Sequence, residues 1–395
     1  MVIMILGGGQ MQRPAYLEAK KRGLEVVGVD PSRNAPCIEL ADHFYFHDLQ
    51  DVSGLGNIVE KHQIDGVMTL SADYPVKAVG ILNSRYQLPG ITEEVVSIVS
   101  DKGVLRQHCH GSGITSPSWL VQYESTGFDI DKIMAMIPVV VKPTCSSGGR
   151  GVTCIRKGDS VSQLNDALAH ACKFSKNGGV IIESYISGKE YSAETITSRG
   201  ITQVIAITEK ITSGHPFYME VGHNIPYIFD DQEWSEVKQF LYSVINGIGI
   251  DNSPAHIEFK VDEGVPVLVE VGARLGGGFI TTDLIPLASG INMVSAAISL
   301  CMGTEPQTQR THSHAAAIRY LIPPAGLMKG IKGIDKIAKL NEVVKINCEY
   351  LPDCHIPVIR DADGRKAFVI GKAENIERLE AVMKVACDYV EYEMS

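Results

Sequence analysis

At 395 residues, with 45% hydrophobic residues and 38 glycines, the chain is too long for one ordinary core and too apolar to be disordered, so two or three α/β-flavoured domains are expected. A formal charge of −10 disfavours a nucleic-acid binder, which needs a basic surface, and no apolar run approaches the roughly 18 residues of a membrane-spanning helix. Nine scattered cysteines without a Cys-x-x-Cys pair argue for reduced thiols in a cytoplasm and against a zinc site or disulfide framework.

The first hundred residues alternate strand and helix signals. Ile3–Leu6, Glu25–Asp30, Phe44–Phe46 and Gly66–Leu70 read as strands, and Arg13–Arg22, Leu55–Lys61 and Pro75–Asn83 as helices. This alternation predicts a parallel sheet with helices on both faces. Ser100 is a plausible N-cap for a helix that Gly111–Pro117 closes. From Ile137 the pattern changes to hairpins: Ile137–Lys142, Gly151–Ile155, Val180–Ser184, Glu190–Thr197 and Ile201–Ile211. A helix at Glu233–Ile248 precedes the strand pair Ala255–Val261 and Val265–Val271, with Gly264 in its turn. The tail from about Glu305 reads as α+β without a recognisable motif.

Lys142 ends a β-branched strand, and Ser146-Ser147-Gly148-Gly149-Arg150-Gly151 follows at once. Glycines there let backbone N–H groups approach phosphate oxygens, although an ordinary hairpin turn has the same composition. The P-loop pattern is absent, because the lysine precedes the glycines. Glu258 and Glu270 stand 12 positions apart (270 − 258) on a predicted hairpin, so their side chains can share a face. Two such carboxylates suit Mg²⁺ bridging to phosphates, and Arg274 suits a clamp on transferring phosphate. The bland alternative is a pair of solvated glutamates on an open sheet.

In order, Asp101-Lys102, Lys142 with its glycine-rich loop, Glu183-Ser-Tyr-Ile186, Gly188-Lys-Glu190, Glu258, Glu270 and Arg274 resemble the ATP-grasp superfamily of carboxylate–amine ligases. The resemblance spans residues 1 to 300. It implies a Rossmann-like N-terminal parallel-sheet domain (1–100) and an ATP-grasp fold of two α+β subdomains clasping ATP. These are a lid subdomain with its linking helix (101–185) and a catalytic subdomain (186–304), followed by an α+β C-terminal region (305–395). By the same resemblance Lys102 and Lys142 contact the ATP phosphates, and Ser146, Ser147, Gly148 and Gly149 close over them. Glu183, Ser184, Tyr185 and Ile186 form the adenine hinge, largely through backbone groups, and Glu190 takes the ribose. Glu258 and Glu270 bind Mg²⁺, with Mn²⁺ as an alternative ion. The resemblance departs at Gly272, where many members carry an asparagine metal ligand, so water or another residue would fill that position.

The segment Thr208-Glu-Lys210 through Glu220-Val-Gly-His223-Asn-Ile-Pro226 resembles the substrate segment of the L-amino-acid ligases in that superfamily. It implies that Glu220 holds the α-ammonium of the activated substrate and that His223 sits beside Arg274 at the carboxyl-derived oxyanion. The expected activity is phosphorylation of an amino-acid carboxylate by ATP, then attack by an amine. The expected partners are small-molecule carboxylate and amine substrates and, by resemblance, a second copy in a homodimer, with neither nucleic acid nor membrane. Rival readings are a ligase or carboxylase acting on a purine precursor or bicarbonate, and a nucleotide-binding protein without turnover. A nicotinamide-dependent oxidoreductase, suggested by Gly7–Gly9 and Asp30, is the minority reading.

Overall fold

Apolar runs buried on both faces need helices on either side, and the N-terminal residues meet that requirement. In the computed structural model, which describes residues 1–123 and 127–395, four parallel strands run in the order His43–Tyr45, Glu25–Val29, Val2–Leu6, Gly66–Met68. Helices Arg13–Lys21, Val52–His62 and Val76–Tyr86 alternate with them as expected. Asp30 accepts from the backbone N–H groups of Gly8 and Ser32, so its carboxylate is engaged in closing its own turn.

The helix after this sheet starts one residue later than the sequence suggests. Ser100 has helical dihedrals and ends an unanticipated helix, Glu93–Val99. Asp101 is extended, as an N-cap must be, and its carboxylate accepts from Gly103 N and Val104 N above helix Lys102–Ser112.

The hairpin run expected from Ile137 is not a plain one. Trp119–Gln122, Val180–Ser184, Val139–Pro143 and Thr153–Ile155 form an antiparallel sheet in that order. Helix Val161–Phe174 intervenes before Val180, started by a Ser160/Gln163 capping box. Its buried Leu164, Ala167, Leu168 and Ala171 recur at helical spacing and pack on Val139, Val141 and Ile182, giving this subdomain its own core.

The third unit is an eight-stranded antiparallel sheet: Val265–Gly272, Ser253–Asp262, Lys189–Ser198, Ile201–Thr212, Glu220–Ile225, Ala315–Tyr320, Ala367–Ala373, Val343–Cys348. Glu220–Ile225, within the segment likened to a substrate segment and not among the expected strands, is a strand in the middle of it. The last three strands come from the tail that carried no motif, so the C-terminal region extends the same sheet. It also adds a small three-stranded sheet and helix Ile376–Asp388. No single helix among the described residues is long and apolar enough to cross a membrane.

Candidate active site

One face of the large sheet carries the chemistry in rows, because directly opposed residues of antiparallel strands point the same way. The first row is Lys260, Glu190, Lys210 and His223, each the register partner of the next. Two residues along lies Glu270, Glu258, Ser192 and Thr208, and two further lies Gly272, His256 and Glu194. Together with the lid, the N-terminal domain and the C-terminal strands, this face lines a cavity of about 1010 Å³.

The pairing of Glu258 with Glu270 depends on a backbone irregularity. From the turn, where Glu263 (φ 51°) and Gly264 (φ 83°) both adopt left-handed dihedrals, Asp262 faces Val265 and Phe259 faces Leu268. Continued regularly, that register sets Glu258 opposite Val269 and turns Glu270 to the other face. A bulge between Glu258 and Phe259 shifts the register by one and brings the two glutamates opposite each other. Even spacing alone was therefore an incomplete argument.

Most carboxylates in the cavity meet a cation of the protein. Lys210, side chain 3% exposed, lies 2.8 Å from Glu190, 2.8 Å from Glu220 and 2.9 Å from Glu258. Burial opposes its charge, but the three glutamates outweigh burial and raise its pKa well above the ordinary lysine value. His256 bridges Glu194 (2.5 Å) and Glu258 (3.0 Å); burial again opposes charge, yet the two carboxylates carry the imidazole up to about 10. Gly276 lets its own N–H donate to Glu194, since a Cβ there would stand 2.7 Å from both Glu194 and His256. Lys102 Nζ lies 2.9 Å from Glu270 and donates to Ser146 O at 3.1 Å.

Glu183 is 2% exposed and sits between Lys142 (2.6 Å) and Arg106 (2.7 Å). The Arg106 Nε contact is one of charge whose angle falls outside hydrogen-bond geometry, while Arg106 Nη2 donates to Val269 O. Burial favours the neutral acid, but the two cations hold the Glu183 carboxyl down to about 2. Its side chain thus anchors Lys142. In the expected hinge, Ser184 N and Tyr185 N donate to Ser118 O and Pro138 O, and Ile186 O accepts from Lys260, so these groups are engaged within the protein. In the glycine-rich loop, Gly148 and Gly149 hold positive φ, Arg150 donates to Ser147, and the loop touches the C-terminal region through Ala362 N to Gly148 O and Arg150 to Asp363.

Glu220 and His223 reach the cavity from their strand. Arg365, from the C-terminal region, lies 3.0 Å from Glu220 and stacks 4.2 Å over the Tyr320 ring. His223 is 1% exposed, and neither ring nitrogen has a hydrogen-bond partner among the described residues. Burial pushes its imidazole down to about 4, so it is neutral near pH 7. It lies beside Glu220 (3.6 Å) and Tyr320. Arg274 is engaged instead by Asp73 of the N-terminal domain, at 2.7 Å and 2.6 Å from Nε and Nη2. The sequence reading missed Asp73, Arg106, Glu194, Lys210, His256, Tyr320 and Arg365.

The donor set suits a hard cation: two opposed carboxylates, with no thiol or imidazole facing between them in the row. The lysine amines and His256 imidazolium now neutralise the same oxygens. Gly272 leaves room that Arg274 uses, since a Cβ there would lie 3.1 Å from Arg274 Cζ. An asparagine at this position would collide with the guanidinium in its present place.

Comparison with known proteins agrees with this arrangement. Residues 1–92 match the ribonucleotide synthetase preATP-grasp domain, 135–283 the ATP-grasp domain, and 319–395 the L-amino acid ligase C-terminal domain 2. A Sinorhizobium fredii protein called uncharacterized protein y4rH is 25% identical over 83% of this chain and 68% of its own length. A formate-dependent phosphoribosylglycinamide formyltransferase from Haloquadratum walsbyi is 24% identical over 69% of this chain and 67% of its own. In three dimensions, the L-amino acid ligase from Bacillus licheniformis superposes with a TM-score of 0.82 at 20% identity, covering 100% of this chain and 98% of that one. ATP-grasp domains use ATP with Mg²⁺. The chain therefore carries an ATP-grasp domain, preceded by a preATP-grasp domain and followed by an L-amino acid ligase C-terminal domain.

Proposed function

We propose that the protein is an ATP-dependent ligase that phosphorylates the carboxylate of an amino acid and joins the resulting acyl phosphate to an amine. The observation that carries this reading is the pairing of Glu220, an ammonium acceptor, with the buried, neutral, unpartnered imidazole of His223 on the cavity wall. An unsatisfied buried polar group costs about 1–3 kcal/mol, and a substrate hydrogen-bonding there removes that cost.

In this reading Lys102, Lys142 and the loop Ser146–Gly149 hold the ATP phosphates, Glu190 holds the ribose, and the cavity wall at residues 184–186 packs against the base, with Ile186 O exchanging Lys260 for it. Glu258 and Glu270 would bind Mg²⁺, which supplies charge neutralisation between phosphate oxygens. The substrate ammonium lies at Glu220, whose charge is fixed because Lys210 and Arg365 outweigh burial and keep its carboxyl far below the ordinary range. The substrate carboxylate attacks the γ-phosphorus, ADP leaves, and Arg274 stabilises the transferred phosphoryl group. Positioning carries most of the remaining rate. The glycine-rich loop, tied to Ala362 and Asp363, would cover the bound phosphates and shield the acyl phosphate from water.

A second reading, a ligase acting on a purine precursor, is favoured by the formyltransferase relative. ADP release measured with amino acids singly and in pairs, and in parallel with formate, bicarbonate and a phosphoribosylamine, separates the two. Release that needs two amino acids and yields a dipeptide mass supports the proposal. Release only with the phosphoribosylamine supports the second reading.

A further inference from the structure

The proposed ligase needs a group that accepts the second substrate, because an amine arrives at neutral pH as an ammonium ion and cannot attack until it loses a proton. Most carboxylates lining the cavity already answer to other partners. Glu183 holds Lys142 and Arg106; Glu190 and Glu258 hold Lys210; Glu220 is assigned to the ammonium of the activated substrate; Glu270 holds Lys102; Asp283 holds Lys345; and Glu349 accepts from Asn347 on its own C-terminal strand end.

Asp73 differs in position. It comes from the N-terminal domain, in the loop between strand Gly66–Met68 and helix Val76–Tyr86, and it faces the ATP-grasp sheet across the cavity. Its Oδ1 receives both Nε and Nη2 of Arg274, whereas no hydrogen bond from the described residues reaches Oδ2. The side chain is 35% exposed, which leaves the carboxylate accessible to an incoming group. The loop is also well fixed. Gln12 accepts from Leu70 N and donates to Thr69, and Leu275 N, beside Arg274, donates to Leu70 O. The backbone carrying Arg274 and the loop carrying Asp73 are thus tied together.

We propose, resting on the ligase reading above, that Asp73 is a catalytic residue that receives the ammonium of the amine substrate and takes its proton. With Arg274 on the acyl phosphate, a nitrogen at Asp73 Oδ2 stands next to the activated carbonyl. One proton passes to Asp73 and on to solvent, and the freed lone pair forms the C–N bond. The C–O bond to phosphate then breaks with its electrons leaving on phosphate, which takes the second nitrogen proton. The products are an amide and hydrogen phosphate.

Hydroxylamine provides the test, because it is uncharged near neutral pH and needs no base before it attacks. Wild-type and Asp73→Asn proteins are supplied with ATP, Mg²⁺ and a panel of amino acids, with either a second amino acid or hydroxylamine as nucleophile. The expected result is a loss of amide formation of about 100-fold or more in the variant. Hydroxamate formation should stay within about 5-fold of wild type, which also certifies the fold and the Arg274 clamp. Parallel loss of both products would mean that Asp73 serves only to position Arg274, and retained amide formation would likewise overturn the assignment. Absence of hydroxamate in the wild type would contradict the ligase reading beneath it instead.

Discussion

Replacing Lys210 by methionine removes the ammonium group that three glutamates share. At an effective dielectric of about 20, a unit-charge contact at this range is worth about 6 kcal/mol gross. The three contacts, at 2.8, 2.8 and 2.9 Å, are opposed by desolvation and by repulsion among the carboxylates they gather. The net cost of deleting one partner of a buried ion pair is about 3–5 kcal/mol, most of it from the charges left behind. Here Glu220 keeps Arg365 and Glu258 keeps His256, but Glu190 retains only Lys260 at 4.0 Å. We therefore expect Lys210→Met to lower the unfolding free energy of the nucleotide-free protein by about 3–5 kcal/mol. Urea denaturation followed by circular dichroism measures it. A loss below about 1 kcal/mol would show that the glutamates do not depend on this lysine, and would refute the picture of one charge network spanning ribose, substrate and metal positions.

Four other outcomes follow from the same geometry. Glu220→Ala should raise the KM for the activated amino acid far more than the KM for ATP, and equal increases would contradict its role at the ammonium. Glu270→Gln should abolish turnover and lower the urea midpoint only modestly, since buried Lys102 loses its carboxylate partner but keeps Ser146 O and the new amide oxygen; a wild-type rate would remove Glu270 from the metal site. Arg106→Met should cost about 3 kcal/mol of stability, since buried Glu183 is left with Lys142 alone and Val269 O loses its donor, and a midpoint equal to wild type would remove Arg106 from the Glu183 site. The folded-state pKa of His223, about 4, lies below the ordinary value of 6.5, so its contribution is fully present above pH 6.5 and is lost as pH falls through 4. His223→Leu should therefore lose less stability than wild type between pH 6.5 and 4.5, whereas identical slopes would show that the imidazole is not held neutral.

The alternating strand and helix signals of the first ninety residues made the parallel sheet legible, because each apolar run is short and bounded by turn residues. Motif order named Lys102, Lys142, Glu190, Glu220, Glu258, Glu270 and Arg274, which the fold brings to one cavity. The rows on the large sheet were also present in the sequence as period-two patterns: Glu190-x-Ser192-x-Glu194, Thr208-x-Lys210 and His256-x-Glu258-x-Lys260. Reading them as strand faces would have revealed Lys210, His256 and Glu194. Other features were not local. The bulge that aligns Glu258 with Glu270 has no residue signature; Asp73 and Arg365 reach the cavity, and buried Arg106 reaches Glu183, from elements whose position only the tertiary fold determines. The tail joins the large sheet through one strand, Ala315–Tyr320, whose partner Glu220–Ile225 lies far upstream, so the junction has no local signal.

The central claim, that an amino-acid carboxylate receives the γ-phosphoryl group of ATP, is tested most directly by isotope transfer. An amino acid labelled with ¹⁸O in its carboxylate is turned over with ATP, Mg²⁺ and an amine, and the released phosphate is analysed by mass spectrometry. The account predicts one ¹⁸O atom in the phosphate for each amide formed. Amide formation with unlabelled phosphate would contradict it.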